Sequence, residues 1–76
     1  MLRVLFFGQL TDITGCTQLE LGTVGDTDSL ENVLRTQYPS LAQAKYVITV
    51  DRKIVRTKTK IAAGMEIALL PPFSGG

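Results

Sequence analysis

The sequence has no histidine, no tryptophan and a single cysteine, Cys16. Without histidine, the Ser–His and Cys–His pairs that activate side-chain nucleophiles cannot be built. A metal site would fall to Cys16 and to Asp12, Glu20, Asp26, Asp28, Glu31, Asp51 and Glu66, which show no ligand spacing. The glycines stand singly until the final pair, so no phosphate-cradling loop is present. We therefore expect no metal, no cofactor bound by this chain alone, and no catalysis without a partner. One cysteine cannot close an internal disulfide, which suits a reducing compartment. No apolar run approaches the roughly 20 residues that span a bilayer. Arg3 and a short apolar stretch do not make a cleavable signal. These absences point to a cytoplasmic protein. A net charge of +1 gives no global pull towards nucleic acid or membrane.

What is present fits one small folding unit over residues 1–76, with 45% hydrophobic and 20% charged residues. Leu2 to Gly8 reads as a strand that is apolar on both faces. Val4 and Phe6 point one way, Leu5 and Phe7 the other. Gln9 to Gly15 is a connection with one helical turn at most. Thr17 to Gly22 alternates Thr17, Leu19 and Leu21 against Gln18 and Glu20, as a half-buried edge strand does. Cys16, in the connection between them, has no base beside it in sequence and reads as a small packing residue. Asp28 followed by Glu31 predicts a helix cap with a capping box. Leu30, Val33, Leu34 and Tyr38 then form one apolar stripe, ended by Pro39. Ser40 to Ala44 has room for a short extra turn.

Tyr46 to Val50 is a further strand, Asp51-Arg52-Lys53 a tight turn, and Ile54 to Arg56 a short return. Lys58 to Gly64 is a loop with Ile61 turned inward, and Met65 to Leu70 is the last strand. A hairpin, one helix and then three strands predict an α+β fold of β-grasp, ubiquitin-like type. Its mixed five-stranded sheet has one main helix across one face and its first and last strands parallel at the centre. A single helix covers a single face. Leu5, Phe7, Ala68 and Leu70, joined by Ile54, are then left outward as an interaction patch. Arg52, Lys53, Arg56, Lys58 and Lys60 gather five of the eight basic residues. They suit either steering towards an acidic partner or a solvated hairpin. No aromatic residue interleaves them, so nucleic acid is not expected.

The last six residues are Pro71-Pro72-Phe73-Ser74-Gly75-Gly76. The prolines fix φ and remove two N–H donors, so they end the strand and stiffen the backbone beyond it. The glycines carry no side chain, which permits close approach of the backbone to another protein. We expect 71–76 to project as a tail with the Gly76 carboxylate as its reactive group.

Leu69-Leu70-Pro71-Pro72-Phe73-Ser74-Gly75-Gly76 resembles the C-terminal signature of the molybdopterin synthase small subunit family, a sulfur-carrier group. Val4-Leu5-Phe6-Phe7-Gly8-Gln9 is similar to the family's first strand. Asp12-Ile13-Thr14-Gly15 is similar to its next turn, and Ala63-Gly64-Met65-Glu66-Ile67 to the step into its last strand. Met65 and Asp51 depart from the family pattern, away from the Gly-Gly end. The resemblance implies that an adenylyltransferase resembling ubiquitin-activating enzymes consumes ATP to make the Gly76 acyl-adenylate. A sulfur donor protein then yields a thiocarboxylate. The tail enters the catalytic large subunit, and its sulfur passes to the cyclic pterin precursor of the molybdenum cofactor. It further implies a heterotetramer in which Phe7, Ile54 and Leu70 dock and Pro71, Pro72, Phe73, Ser74 and Gly75 line the passage. A sulfur carrier for thiazole or another cofactor, and a ubiquitin-like protein modifier, share the Gly-Gly end and stay open.

Overall fold

Alternation along the first strand sets how the sheet is covered. In the computed structural model, which describes residues 2–72, β1 is Leu2–Phe6, with Leu2, Val4 and Phe6 buried. It leads through the short helix α1, Leu10–Thr14, to β2, Gln18–Leu21. The main helix α2, Thr27–Gln37, precedes a 3₁₀ turn at Pro39–Gln43. Then come β3, Val47–Val50, β4, Lys53–Val55, and β5, Glu66–Leu70.

The strand order is β2-β1-β5-β3-β4. β1 and β5 run parallel at the centre, with Val4 beside Ile67 and Phe6 beside Leu69. The other pairs, β1 with β2, β3 with β5 and β3 with β4, are antiparallel. This is the β-grasp expected from the element order. Leu30 and Leu34 of α2 close over Leu2, Val4, Phe6, Ile48, Val50, Ile67 and Leu69, with Leu10, Leu21, Leu41 and Ile61 completing the core.

The start of α2 differs from expectation. Its N-cap is Asp26, whose Oδ1 accepts the Ser29 backbone N–H at 2.8 Å, and Asp28 lies in the first turn instead. The helix begins early because the preceding backbone is tied to the loop before β5. The Thr27 N–H donates to the Thr59 carbonyl (2.9 Å), the Thr59 N–H donates to Thr27 Oγ1 (3.1 Å), and the Ile61 N–H donates to the Gly25 carbonyl (3.0 Å). Glu31 is therefore no capping-box partner. It faces Arg35 at 3.4 Å and accepts the Tyr46 hydroxyl at 3.3 Å. α1 is also longer than the single turn expected, and Gly15 closes it in the left-handed region, at φ 75°.

Candidate docking face and tail root

The face of the sheet away from α2 can be read row by row from the register. One row runs Gln18, Leu5, Ala68, Thr49, Ile54 across all five strands. Towards the end where β1 and β5 finish lie Phe7, Leu70 and Val47. The Phe7 N–H donates to the Leu69 carbonyl at 3.2 Å, and Leu70 pairs with Val47. Towards the opposite end lie Glu20, Arg3 and Glu66, with Arg52 Nε 3.9 Å from Glu66.

Among the described residues, Phe7 and Ile54 are the large apolar side chains left exposed, at 45% and 43%. Leu5 and Leu70 are half-buried on the same face. The apolar side chains expected on the outer face are therefore on it, with one correction. Ala68 is only 5% exposed and Thr49 7%, because short side chains on central strands are covered by longer neighbours. Ala68 makes a floor rather than a contact. The apolar surface is two raised points, Phe7 with Leu70 at the tail end and Ile54 at the β4 edge, joined across that floor.

The tail root is more closely held than the sequence suggests. Gly8 comes directly after β1 with φ 59°, and a Cβ built there would lie 2.6 Å from Pro71 Cγ. Glycine at this position lets the proline ring close onto the end of β1. Pro71 and Pro72 are both half-buried. Pro72 borders a groove of about 420 Å³ lined also by Arg35, Leu41, Lys45 and Tyr46. Burial, and then the Glu31 carboxylate, raise the Tyr46 phenol above its ordinary pKa. Phe73, Ser74, Gly75 and Gly76 lie outside the described residues.

Gly8 and the groove beside Pro72 are what residue-by-residue reading misses. A lone glycine after a strand reads as an ordinary strand end, and only parallel pairing brings it against Pro71. Arg35, Lys45 and Tyr46 are likewise joined by topology, with no shared motif. Cys16 packs against the core, with its Sγ 4.0 Å from the Tyr38 hydroxyl, in keeping with a packing role. Among the described residues, no group of three carboxylate or thiol side chains could hold a metal ion, and no helix is long and apolar enough to cross a membrane.

Comparison with known proteins adds to this geometry. A molybdopterin synthase sulfur carrier subunit of Caenorhabditis briggsae is 29% identical over 80 residues, covering 97% of this chain and 95% of that one. The crystal structure of SAMP1 from Haloferax volcanii superposes with a TM-score of 0.77 at 24% identity, over 99% of this chain and 98% of that one. A crystal structure of H. volcanii small archaeal modifier protein 1 gives a TM-score of 0.77 at 21% identity, over 93% and 95%. These two show the shared ubiquitin-like fold. The family model described as the ThiS family matches residues 4–76, and the chain belongs to that family.

Proposed function

We propose that this chain is the sulfur carrier subunit of a molybdopterin synthase. The family match carries the sulfur-carrier part of the proposal, because it runs from β1 through to Gly76 and so includes the Gly-Gly end. The name of the C. briggsae relative and the exposed apolar face beside Pro71 support it. In this role the Gly76 carboxylate attacks the α-phosphorus of ATP on a ubiquitin-activating-enzyme-like adenylyltransferase and releases pyrophosphate. The outer sulfur of a persulfide on a donor protein displaces AMP to give an acyl disulfide, and a second thiol then forms a disulfide with the donor cysteine and releases the thiocarboxylate. Phe7, Leu70 and Ile54 dock the outer face on the large subunit, while Pro71 to Gly75 deliver the sulfur to the cyclic pterin precursor. The large subunit supplies the catalytic side chains, and the assembly is a cytoplasmic heterotetramer.

Deleting Gly76, or appending one residue after it, abolishes molybdopterin formation in a reconstituted system while thermal unfolding stays unchanged. Retained product in either variant overturns the proposal. The intact mass of protein isolated from its own cells gives an independent check, since an oxygen-to-sulfur exchange at the terminus adds about 16 Da to the carboxylate form. Isopeptide conjugates on lysines in those cells, with no thiocarboxylate, would instead identify a protein modifier.

A further inference from the structure

We infer that the β4 edge and the loop after it form a basic flank that docks an acidic protein surface on the partner taking the outer face of the sheet. This inference rests on the proposed function for the identity of that partner. The charge of this chain is small in total but sharply divided. Residues 51–60 hold five of the eight basic residues and one of the seven acidic ones. That segment carries +4 and the remainder −3.

Topology places the positive segment along one border. β4 is an edge strand, and Arg52, Lys53, Arg56, Lys58 and Lys60 are all exposed. Internal pairing takes up little of this charge. Arg52 lies 3.9 Å from Glu66 with its side chain 87% exposed, and Lys58 lies 3.7 Å from Asp26 with its side chain 66% exposed. Pairs this long and wet are readily exchanged for a partner's carboxylates. Ile54, one of the two exposed large apolar residues, stands on the outer face of that edge strand, while Lys53 alternates to its other side and Lys58 lies by the Asp26 cap of α2, so the basic residues border the apolar point along the edge rather than share its face.

An apolar contact with a one-sided basic rim fits a protein socket rimmed by Asp and Glu. It suits a single-stranded nucleic acid poorly, because Tyr46, which borders Arg56 and Lys58, is half-buried and donates its hydroxyl to Glu31 rather than offering an open stacking face. Tyr38 and Tyr46 are half-buried, and Phe7 lies beside β1, three strands from β4. Such a flank acts mainly on the rate of encounter, because exposed charges steer association and are screened by salt.

The test is stopped-flow association of the full chain with the large subunit from the same organism, at about 20 mM and about 300 mM salt. Lys53→Glu with Arg56→Glu should slow association about tenfold at low salt, leave dissociation within about twofold, and lose most of this effect at high salt. Asn32→Glu with Gln37→Glu, exposed on α2 behind the sheet, should leave the rate within about twofold. If the double reversal fails to fold by circular dichroism, Lys53→Gln with Arg56→Gln should show a smaller slowing of the same sign. An association rate indifferent to either pair overturns the inference alone. An equal loss with the α2 pair also overturns it, because net charge would then be the cause. So does charge-dependent binding of a fluorescent single-stranded oligonucleotide with no effect on the protein complex. Absence of any complex with the unaltered chain overturns both this inference and the function it rests on.

Discussion

Phe7 and Arg52 are the two residues whose local state is least explained by the stability of the chain itself. Phe7 is a large aromatic side chain left 45% exposed at the end of β1, where it adds little to the core. Truncating such an anchor at an interface costs more than about 1–2 kcal/mol. Phe7→Ala should therefore weaken the complex with the large subunit by about tenfold or more in a calorimetric titration, while the melting temperature of the free chain barely moves. A large fall in melting temperature with binding spared would place Phe7 in the core instead. Arg52 sits at φ 71° and its neighbour Asp51 at φ 50°, both in the left-handed region of a two-residue hairpin turn. Asp51 has compensation there. Its N–H donates to the Glu66 carbonyl at 2.8 Å, and its Oδ1 accepts the Glu66 N–H at 3.0 Å. Arg52 has only the exposed 3.9 Å approach to Glu66. Arg52→Gly should then raise stability by about 0.5–1 kcal/mol, read by urea denaturation, because the strain removed exceeds the pair lost.

At the scale of elements, strands are more legible in the sequence than caps. Val4 and Phe6 against Leu5 and Phe7, or Ile67 and Leu69 against Ala68 and Leu70, can be assigned to faces from alternation alone. The stripe of Leu30, Val33, Leu34 and Tyr38 likewise announces α2. The cap is harder to place because Asp26 and Asp28 are both good cap residues, and the choice between them is made by Thr59 and Ile61, far along the chain. Ala68 escapes for a related reason, since face can be read from alternation but the size of cross-strand neighbours cannot. The cap carries its own prediction. The Ser29 backbone N–H, with help from the Lys58 ammonium, holds the Asp26 carboxyl below its ordinary pKa of 3.8, against a smaller opposing effect of desolvation. A carboxyl with a depressed folded pKa contributes stability that is complete above its unfolded pKa and is lost as pH falls through the folded one. Asp26→Ala should lower the melting temperature at pH 7, and the gap to the unaltered chain should close as pH falls towards about 2. A gap that stays constant over that range would show that the carboxylate charge contributes nothing to the cap.

For the molecule as a whole, the two faces of one sheet differ: one is covered by α2 and holds the core, and the other leaves Phe7 and Ile54 exposed. Leu69→Ala is the converse of Phe7→Ala, since Leu69 is fully buried. It should cost about 2–5 kcal/mol, a large part of the roughly 4–11 kcal/mol typical of a chain this size, and urea denaturation would measure it. The tail root shows where reading from the sequence stops. Pro71 and Pro72 can be recognised as strand terminators, but their seat against Gly8 and the groove depends on β1 and β5 lying side by side, which no local pattern encodes. That adjacency also bears on synthesis. β5 hydrogen-bonds to both β1 and β3, so the sheet has no centre until β5 has left the ribosome. Early strands must wait for a neighbour nearly a full chain length away, which slows folding. Chains broken off before Glu66 therefore cannot assemble the sheet, and a partner that recognises the folded face would pass over such fragments.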